Sequence, residues 1–179
     1  MPLKLSVELE IKAITCQGEF LPEKNVYLSV CNLNQYRATE CFPPILPIEV
    51  KHTMHFEKVF RNASDPAAIL ELLQCYTTRF ELIQLMHPEG EILAYYEENT
   101  REFLFPESRL PSSNDKVERE VVMRKLHGFQ DLAPKIEFST QTSIKDIPSS
   151  LRMRFVEENL RVLRSALPSE EEGNEEKKE

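Results

Sequence analysis

The chain has 179 residues, of which 41% are hydrophobic and 29% charged, enough for one domain with a core plus extensions. Its formal net charge of −8 argues against nucleic acid or an anionic bilayer as the main partner, because both require a basic field. About half of that charge follows Pro168, where six glutamates face two lysines.

The cysteines and the N-terminal residues favour an intracellular protein. Cys16, Cys31, Cys41 and Cys75 form no CxxC pair, and the first residues run straight into a strand pattern without the apolar core of a signal peptide. We therefore expect reduced thiols. No apolar run reaches the roughly 20 residues of a membrane span.

The first 60 residues predict four strands. Apolar residues from Leu5 to Ala13 alternate with polar ones, the period of a half-buried strand. A loop over residues 17–25 precedes predicted strands over 26–33 and 36–41. Three prolines then interrupt the pattern, since proline cannot donate to a sheet, and the strand over 53–60 follows them.

The next 80 residues predict a short helix and further strands. Asp65 and Pro66 form a helix start, with an N-cap aspartate before proline at the first helical position. Predicted strands cover residues 78–86, part of 92–105, 119–126 and 134–140, with a loop before Pro106. The sequence thus predicts an all-β, antiparallel β-sandwich of about eight strands with one inserted helix.

The pattern changes after about residue 146. Apolar residues then recur every three or four positions up to Pro168, which predicts an amphipathic helix. The charged residues 169–179 predict a disordered acidic tail. We expect three regions: the sandwich over residues 1–145, the helix over 146–168 and the tail. The helical stripe comprises Met153, Val156, Leu160, Leu163 and Leu167.

Four segments of the sequence resemble the N-terminal domain of the spermatogenesis-associated protein 6 family: residues 56–60 with Asp65 and Pro66, then 80–85, 96–106 and 133–140. The resemblance covers roughly residues 1–145. It implies a role in spermatogenesis, in assembly of the sperm connecting piece (the head–tail junction) and the flagellum, and binding of myosin light chain. It implies no catalytic residues.

The strand order and loop lengths are also similar to those of a C2 domain, an analogy of fold that carries little functional weight. Calcium-binding C2 domains need several aspartates on two loops, because Ca²⁺ takes six to eight oxygen ligands. The corresponding loops here offer only Glu19 and Glu23, and Glu89 and Glu91. These patterns favour solvated carboxylates over a calcium site.

The residues of metal sites and active sites show no matching pattern. His52 and His55 are three apart, so on a strand they point to opposite faces, and zinc sites have paired ligands at short spacing. The four glycines are too far apart for a phosphate-binding loop. We therefore predict no metal, no cofactor and no enzymatic activity.

The stretch from Tyr95 to Phe105 has two interpretations. In one, Tyr95, Phe103 and Phe105 pack inside the sandwich. In the other, an exposed contact site is formed, since tyrosine and arginine are typical interface anchors. The members of that predicted site are Tyr96, Glu97, Glu98 and Arg101.

The predicted C-terminal helix also has two interpretations. Met153, Val156, Leu160 and Leu163 either dock on the sandwich or pair with another helix, although the stripe is shorter than the three or four heptads that identify a coiled coil. Four arginines, Arg152, Arg154, Arg161 and Arg164, make the helix basic. Basic amphipathic helices suit EF-hand-like grooves, the type of groove found in myosin light chains.

The sequence favours a non-catalytic protein-interaction module, which by resemblance lies in the cytoplasm or cytoskeleton at the sperm neck or flagellum. The alternative is a calcium-independent phospholipid-binding module for membrane or vesicle targeting, which needs a basic concave face. The acidic total disfavours it. The basic residues available for such a face are Lys4, Lys12, Arg37, Lys51, Lys58 and Arg119.

Overall fold

The computed structural model describes residues 2–16, 24–106, 116–126, 133–147 and 160–162. Two compact units are distinguished, Met1–Asp146 and Ile147–Glu179. In the first, nine strands and two helices are described. They are β1 (Leu3–Thr15), β2 (Val26–Asn32), β3 (Gln35–Ala38), β4 (Ile48–Phe60), α1 (Pro66–Leu73), β5 (Thr77–Gln84), β6 (Glu91–Asn99), α2 (Thr100–Leu104), β7 (Lys116–Val122), β8 (Arg124–Lys125) and β9 (Lys135–Asp146).

The strands form two antiparallel sheets. The four-stranded sheet has the order β4-β1-β9-β7, and the five-stranded sheet has the order β3-β2-β5-β6-β8. β7 and β8 are separated only by Met123, so one stretch of chain turns from the first sheet into the second. The predicted antiparallel sandwich is confirmed.

β1 is the best predicted strand, because its alternation is strict. Leu3, Leu5, Val7 and Leu9 are all buried, and β1 pairs with β4 on one side and β9 on the other. A register shift between Ile11 and Ala13 then reverses the phase. As a result Ile14 is buried and the predicted inward position of Ala13 is only partly so.

α1 begins as predicted. The Asp65 side chain accepts a hydrogen bond from the Ala68 backbone N–H at 2.9 Å, and Pro66 occupies the first turn. Ile69, Leu70 and Leu73 are the buried face of this helix.

The prediction for the residues before Pro106 was wrong in part. A strand and a loop were predicted there, and the structure has the short helix α2. Asn99 accepts a hydrogen bond from the Arg101 N–H and starts a five-residue helix. Thr100, the first residue of that helix, is fully buried, and its hydroxyl is bonded to that of Thr78 at 3.0 Å. The capping amide and this buried contact favour a helical turn over an extended chain.

The predicted interruption of the strands at the three prolines is confirmed, because no strand lies between Ala38 and Ile48. Only Phe42 in that segment makes a bridge, with Val26, and β4 resumes at Ile48. β4 therefore starts five residues earlier than predicted, with Lys51 at φ 46° as an irregularity inside the strand.

Four aromatic rings at the centre of the sandwich join the two sheets. Phe80 lies 5.3 Å from Phe138 and 5.7 Å from Phe103, between ring centroids, and Tyr96 lies 6.3 Å from Phe80. Ring pairs at these distances add to the burial energy.

Among the described residues, no helix is both long and apolar enough to cross a membrane.

Candidate protein-interaction surface

The outer face of the five-stranded sheet is built from residues that meet across strands. In one row, Tyr36 pairs with Cys31, Cys31 with Arg79, and Arg79 with Glu97. In the next row Ser29 pairs with Glu81, and Glu81 with Tyr95. Directly paired residues point to the same side. We call this surface the tyrosine face: Tyr27, Ser29, Cys31, Tyr36, Arg79, Glu81, Tyr95 and Glu97.

Arg79 organises the centre of the tyrosine face. Its Nε lies 2.6 Å from Glu81 Oε1 and its Nη1 lies 2.8 Å from Glu97 Oε2. The guanidinium also stacks over the Tyr95 ring at 4.3 Å from the centroid. Burial lowers the pKa of Arg79, but the two carboxylates outweigh it and raise the pKa. The arginine is therefore a fixed cation with its carboxylates already placed.

Tyr36 is the most exposed part of this face, with 74% of its surface accessible. Its hydroxyl lies against the Cys31 thiol, and that hydrogen bond raises the pKa of Tyr36. Tyr36, Cys31, Cys75 and Arg79 line an open concavity of about 370 Å³. The surface thus combines a protruding ring with a recess beside it.

The outer face of the four-stranded sheet is different in kind. Lys12 Nζ lies 2.6 Å from Glu118 Oε1, which raises the pKa of Lys12 and lowers that of Glu118. Similar pairs join Lys116 to Glu10 and Lys135 to Glu120. Lysine and glutamate are depleted at interfaces, whereas tyrosine and arginine are enriched. Composition therefore favours the tyrosine face as the binding side.

The strand edges are poor sites for adding another strand. β3 has four residues and β8 has two. On β4, Lys51 has a positive φ and Gln35 Nε2 donates to the Glu57 carbonyl at 2.6 Å. On β7, Arg119 points inward between the sheets. Short edges, irregularities and inward charges all discourage strand addition.

Tyr96 and Glu98 lie on the opposite side of β6 from Tyr95 and Glu97. The Tyr96 hydroxyl donates to Glu98 Oε2 at 2.8 Å, and Arg119 of the other sheet lies 3.1 Å from the same oxygen. Burial, and then the hydrogen bond to Glu98, raises the pKa of Tyr96. This cluster ties the two sheets together at their edge.

The structure reverses the predicted roles of the two tyrosines. Phe103 and Phe105 are buried as predicted, but Tyr96 packs against the core and Tyr95 lies on the outer face. The cause is a register shift between Leu82 and Ile83, which leaves Leu93 unpaired. An extra residue moves every following side chain to the other face.

The four residues predicted to form one contact site therefore lie in three different places. Glu97 belongs to the tyrosine face, and Tyr96 and Glu98 to the cross-sheet cluster. Arg101 lies on α2, where its Nε is buried and finds no hydrogen-bond partner among the residues that the structure describes. Of the helical stripe, Leu160 is exposed within the helical residues 160–162, while Met153, Val156 and Leu163 lie outside the described residues.

The basic residues considered for a lipid-binding face are engaged with other groups. Lys4 pairs with Glu57, Lys51 with Glu49, and Arg119 with Glu98; Lys12 is paired as described above. Lys58 lies over the Tyr76 ring at 4.8 Å, and Arg37 over the Phe56 ring at 5.7 Å. Four of these six side chains are thus paired with carboxylates, which reduces the positive charge that could attract anionic lipid, whereas Lys58 and Arg37 keep theirs.

The cysteines and acidic side chains show no convergence on a metal in the part of the chain that is described: no group of three His, Cys, Asp or Glu is close enough. None of the four cysteines, all of which are described, forms a disulfide. Glu19 and Glu23 lie outside the described residues.

Sequence reasoning missed Tyr36 and Arg79 as members of a surface. Tyr36 stands on a four-residue strand after Leu33 and Asn34, both with positive φ, a short hairpin turn that aligns Tyr36 with Cys31. The available signal was the charged pair Arg79 and Glu81 on either side of Phe80 in β5, because alternation places both charges on one face.

Other proteins resemble this chain over most of its length. A family model described as "Spermatogenesis-assoc protein 6" matches residues 7–144. The chain is 53% identical over 157 residues to a spermatogenesis associated 6-like protein of Rattus norvegicus, covering 87% of this chain and 39% of that protein. It is 48% identical over 159 residues to the protein so named in Homo sapiens, covering 88% and 37%. The chain thus spans less than two fifths of the length of these relatives.

Solved C2 domains have the same fold. A C2 domain of plant extended synaptotagmin 1 matches with a TM-score of 0.54 at 10% identity, covering 79% of this chain and 96% of that domain. A C2 domain-containing protein from a putative elicitor-responsive gene matches with a TM-score of 0.53 at 11% identity, covering 80% and 92%. The predicted C2-like sandwich is confirmed, and identity this low supports the fold alone.

Proposed function

Because the chain belongs to the spermatogenesis-associated protein 6 family, we propose that it is a non-catalytic scaffold module that holds protein partners on its tyrosine face. The observation that carries this proposal is the contrast between the two outer faces. One presents tyrosines around a fixed arginine, and the other presents paired lysines and glutamates.

The physical argument for the face is the cost of ordering side chains. Tyr95 is already held by Arg79, and Arg79 by two carboxylates, so little side-chain entropy is lost on binding. Tyr36 supplies a large, rigid contact at low entropic cost. The poor strand edges direct partners to the face.

The cellular part of the proposal rests on the family resemblance. The module acts in spermatogenesis, in assembly of the sperm connecting piece and flagellum, and a myosin light chain is one partner. The site of action is the cytoskeleton of the sperm neck. The stripe of Met153, Val156, Leu160 and Leu163 is the second contact in this proposal, because its basic helical pattern suits a light-chain groove.

Calorimetric titration of the full chain with purified myosin light chain tests both contacts. We expect Tyr36→Ala with Tyr95→Ala to weaken binding about tenfold or more, as truncation of interface tyrosines does. The matched control, His55→Ala with Gln141→Ala on the other outer face, should bind normally. Leu160→Glu with Leu163→Glu tests the helix separately.

Three outcomes would contradict parts of the proposal. Equal affinity of the tyrosine variant and the control removes the tyrosine face as the light-chain site. Normal binding by the helix variant removes the helix. Absence of any light-chain binding removes that partner, and proximity labelling in spermatids with the same two face variants then tests the face against other proteins.

Vesicle sedimentation distinguishes the proposed protein scaffold from the alternative, a phospholipid-binding module. With phosphatidylserine-containing vesicles and no calcium, we expect the chain to stay in the supernatant, because four of the six basic side chains considered for a lipid-binding face are paired with carboxylates. Salt-sensitive pelleting that is lost on changing Lys4 and Lys12 to alanine would favour the lipid-binding module instead.

A further inference from the structure

Exposed apolar side chains cluster at one end of the sandwich. Ile45, Leu85, Met86 and Leu126 have between 42% and 71% of their surface accessible. Phe42 pairs with Val26 on one side of β2 and Gln84 pairs with Val26 on the other, so the segments that carry Ile45 and Leu85 leave the same end of the sheet with β2 between them. We call this end, with those four residues, the loop end.

Leu126 lies at the same end of the sheet. Its N–H donates to the Leu93 carbonyl at 2.8 Å, next to Ile92, which pairs with Ile83 near the end of β5. The four residues thus span the sheet from the β3 side to the β8 side. Five strands at about 4.8 Å spacing make this span about 20 Å.

Ile45 is presented by a stiff segment. The Phe42 N–H and carbonyl both bond to Val26, at 2.7 and 2.9 Å, and the Ile45 N–H bonds to the Pro43 carbonyl at 2.8 Å. Phe42 and Leu46 pack against the core on either side. Residues 41–48 carry no charge. An exposed apolar tip fixed in this way loses little entropy on contact.

Leu85 and Met86 are fixed next to it. The Leu85 N–H donates to the Asn25 carbonyl at 2.9 Å. The turn that follows lies tightly on the sheet, because a Cβ on Gly90 would come within 2.6 Å of Ile83 Cγ2. Backbone hydrogen bonds and close packing therefore hold the exposed side chains of Ile45, Leu85 and Met86 in one arrangement.

The charges beside the tips have both signs. Lys24 is exposed next to the start of β2, and Arg124 and Lys125 are exposed just before Leu126. Glu40 and Glu89 are exposed beside the other two loops. The negative surface of a cytoplasmic membrane would meet both carboxylates. A second copy related by a two-fold axis can place the cations of one chain opposite the carboxylates of the other, and each such contact then occurs twice, since a two-fold interface is self-complementary.

We propose that the loop end is a self-association site, at which two copies of the chain meet end to end with Ile45 of each packed against Leu85 and Met86 of the other. The strand edges discourage any edge-to-edge pairing. The apolar area is smaller than that of a standard interface of about 800 Å² per partner, so the association is weak and depends on protein concentration.

Sedimentation velocity of the full chain from low to high micromolar concentration tests the proposal. We expect the weight-average mass to rise toward twice that of one chain. Ile45→Glu with Met86→Glu should weaken association about tenfold or more by placing charges in the contact. The control is Leu72→Glu on α1, an exposed leucine at the opposite end, and it should associate normally.

Two exposed thiols give an independent measurement. Cys41 adjoins the loop end, whereas Cys75 follows α1 at the opposite end. Copper(II) phenanthroline should cross-link the chain into dimers through Cys41. Two thiols release two protons to solvent and one electron to each of two copper(II) complexes as the disulfide forms. Cys41→Ser should prevent this product, and Cys75→Ser should leave it unchanged.

A single mass at every concentration overturns the proposal, as does association that persists in the Ile45→Glu, Met86→Glu variant while circular dichroism shows it folded. Cross-linking through Cys75 alone would also overturn it. Binding of the monomeric chain to phosphatidylcholine vesicles, lost in the same variant, would assign the loop end to a membrane instead. None of these outcomes bears on the tyrosine face, which the light-chain and labelling experiments test.

Discussion

One residue decides which tyrosine of the Tyr95–Tyr96 pair faces the core. Alternation in the sequence shows that the two point in opposite directions, but it cannot show which is inside, because the phase changes where Leu93 is left without a partner. That shift depends on how β5 and β6 align, a long-range property. Alternation therefore separates the two faces of β6 and leaves their assignment to the fold.

The partly buried, hydrogen-bonded side chain of Tyr96 makes stability depend on alkaline pH. Burial and the bond to Glu98 raise its pKa in the folded state, whereas the pKa in the unfolded chain is about 10. Its contribution is complete below about pH 10 and is lost as pH rises through the raised folded pKa. We expect the urea concentration at the unfolding midpoint to fall less between pH 9 and 11 for Tyr96→Phe than for the natural chain.

Tyr95→Phe is the control for that measurement, because no hydrogen bond from the Tyr95 hydroxyl contributes to the cross-sheet cluster. It should lose stability between pH 9 and 11 as the natural chain does. If the two variants behave alike, the alkaline dependence does not come from Tyr96.

The Arg119–Glu98 pair should matter more to stability than the exposed ion pairs. Both side chains are about four-fifths buried, with 22% and 20% accessible. Arg119→Met leaves Glu98 without its cation, at a cost of about 1–3 kcal/mol in the free energy of unfolding. Lys4→Met breaks an exposed pair and should cost less than about 1 kcal/mol. Urea unfolding compares them, and equal costs would contradict this account.

At the scale of elements, the regular strands and the capped helix could be predicted, and the short pieces could not. β1, β2 and β5 have clear alternation, and α1 has its aspartate and proline in adjacent positions. α2 has five residues and β8 has two, too few for a period to show. Their conformations come from tertiary contacts such as Thr100 with Thr78.

The N-cap of α1 provides a direct test at this scale. Asp65→Ala removes the acceptor for the Ala68 N–H and should lower the free energy of unfolding by about 1 kcal/mol. Asp65→Asn keeps a side-chain acceptor and should cost much less. Thermal or urea unfolding followed by circular dichroism measures both. A large loss in the asparagine variant would show that charge, rather than the hydrogen bond, stabilises this end.

For the whole molecule, the fold class was predictable and the binding surface was not. Alternating strands, turns and one helix favour a sandwich, and the family resemblance favours the same conclusion. The tyrosine face, by contrast, collects Tyr36, Arg79 and Tyr95 from three strands far apart in sequence. Only the strand order β3-β2-β5-β6 brings these residues together.

The pairing of Leu3 with Asp146 has a mechanical consequence. Chain entry and exit lie side by side at one pole of the sandwich, away from Ile45 and Met86. Tension applied between those two strands would peel β1 from β9 one residue pair at a time rather than shear the whole ladder at once. Two copies joined at the loop end would leave Leu3 and Asp146 of each sandwich at the pole farthest from the contact, so force on those residues would not act on the contact directly.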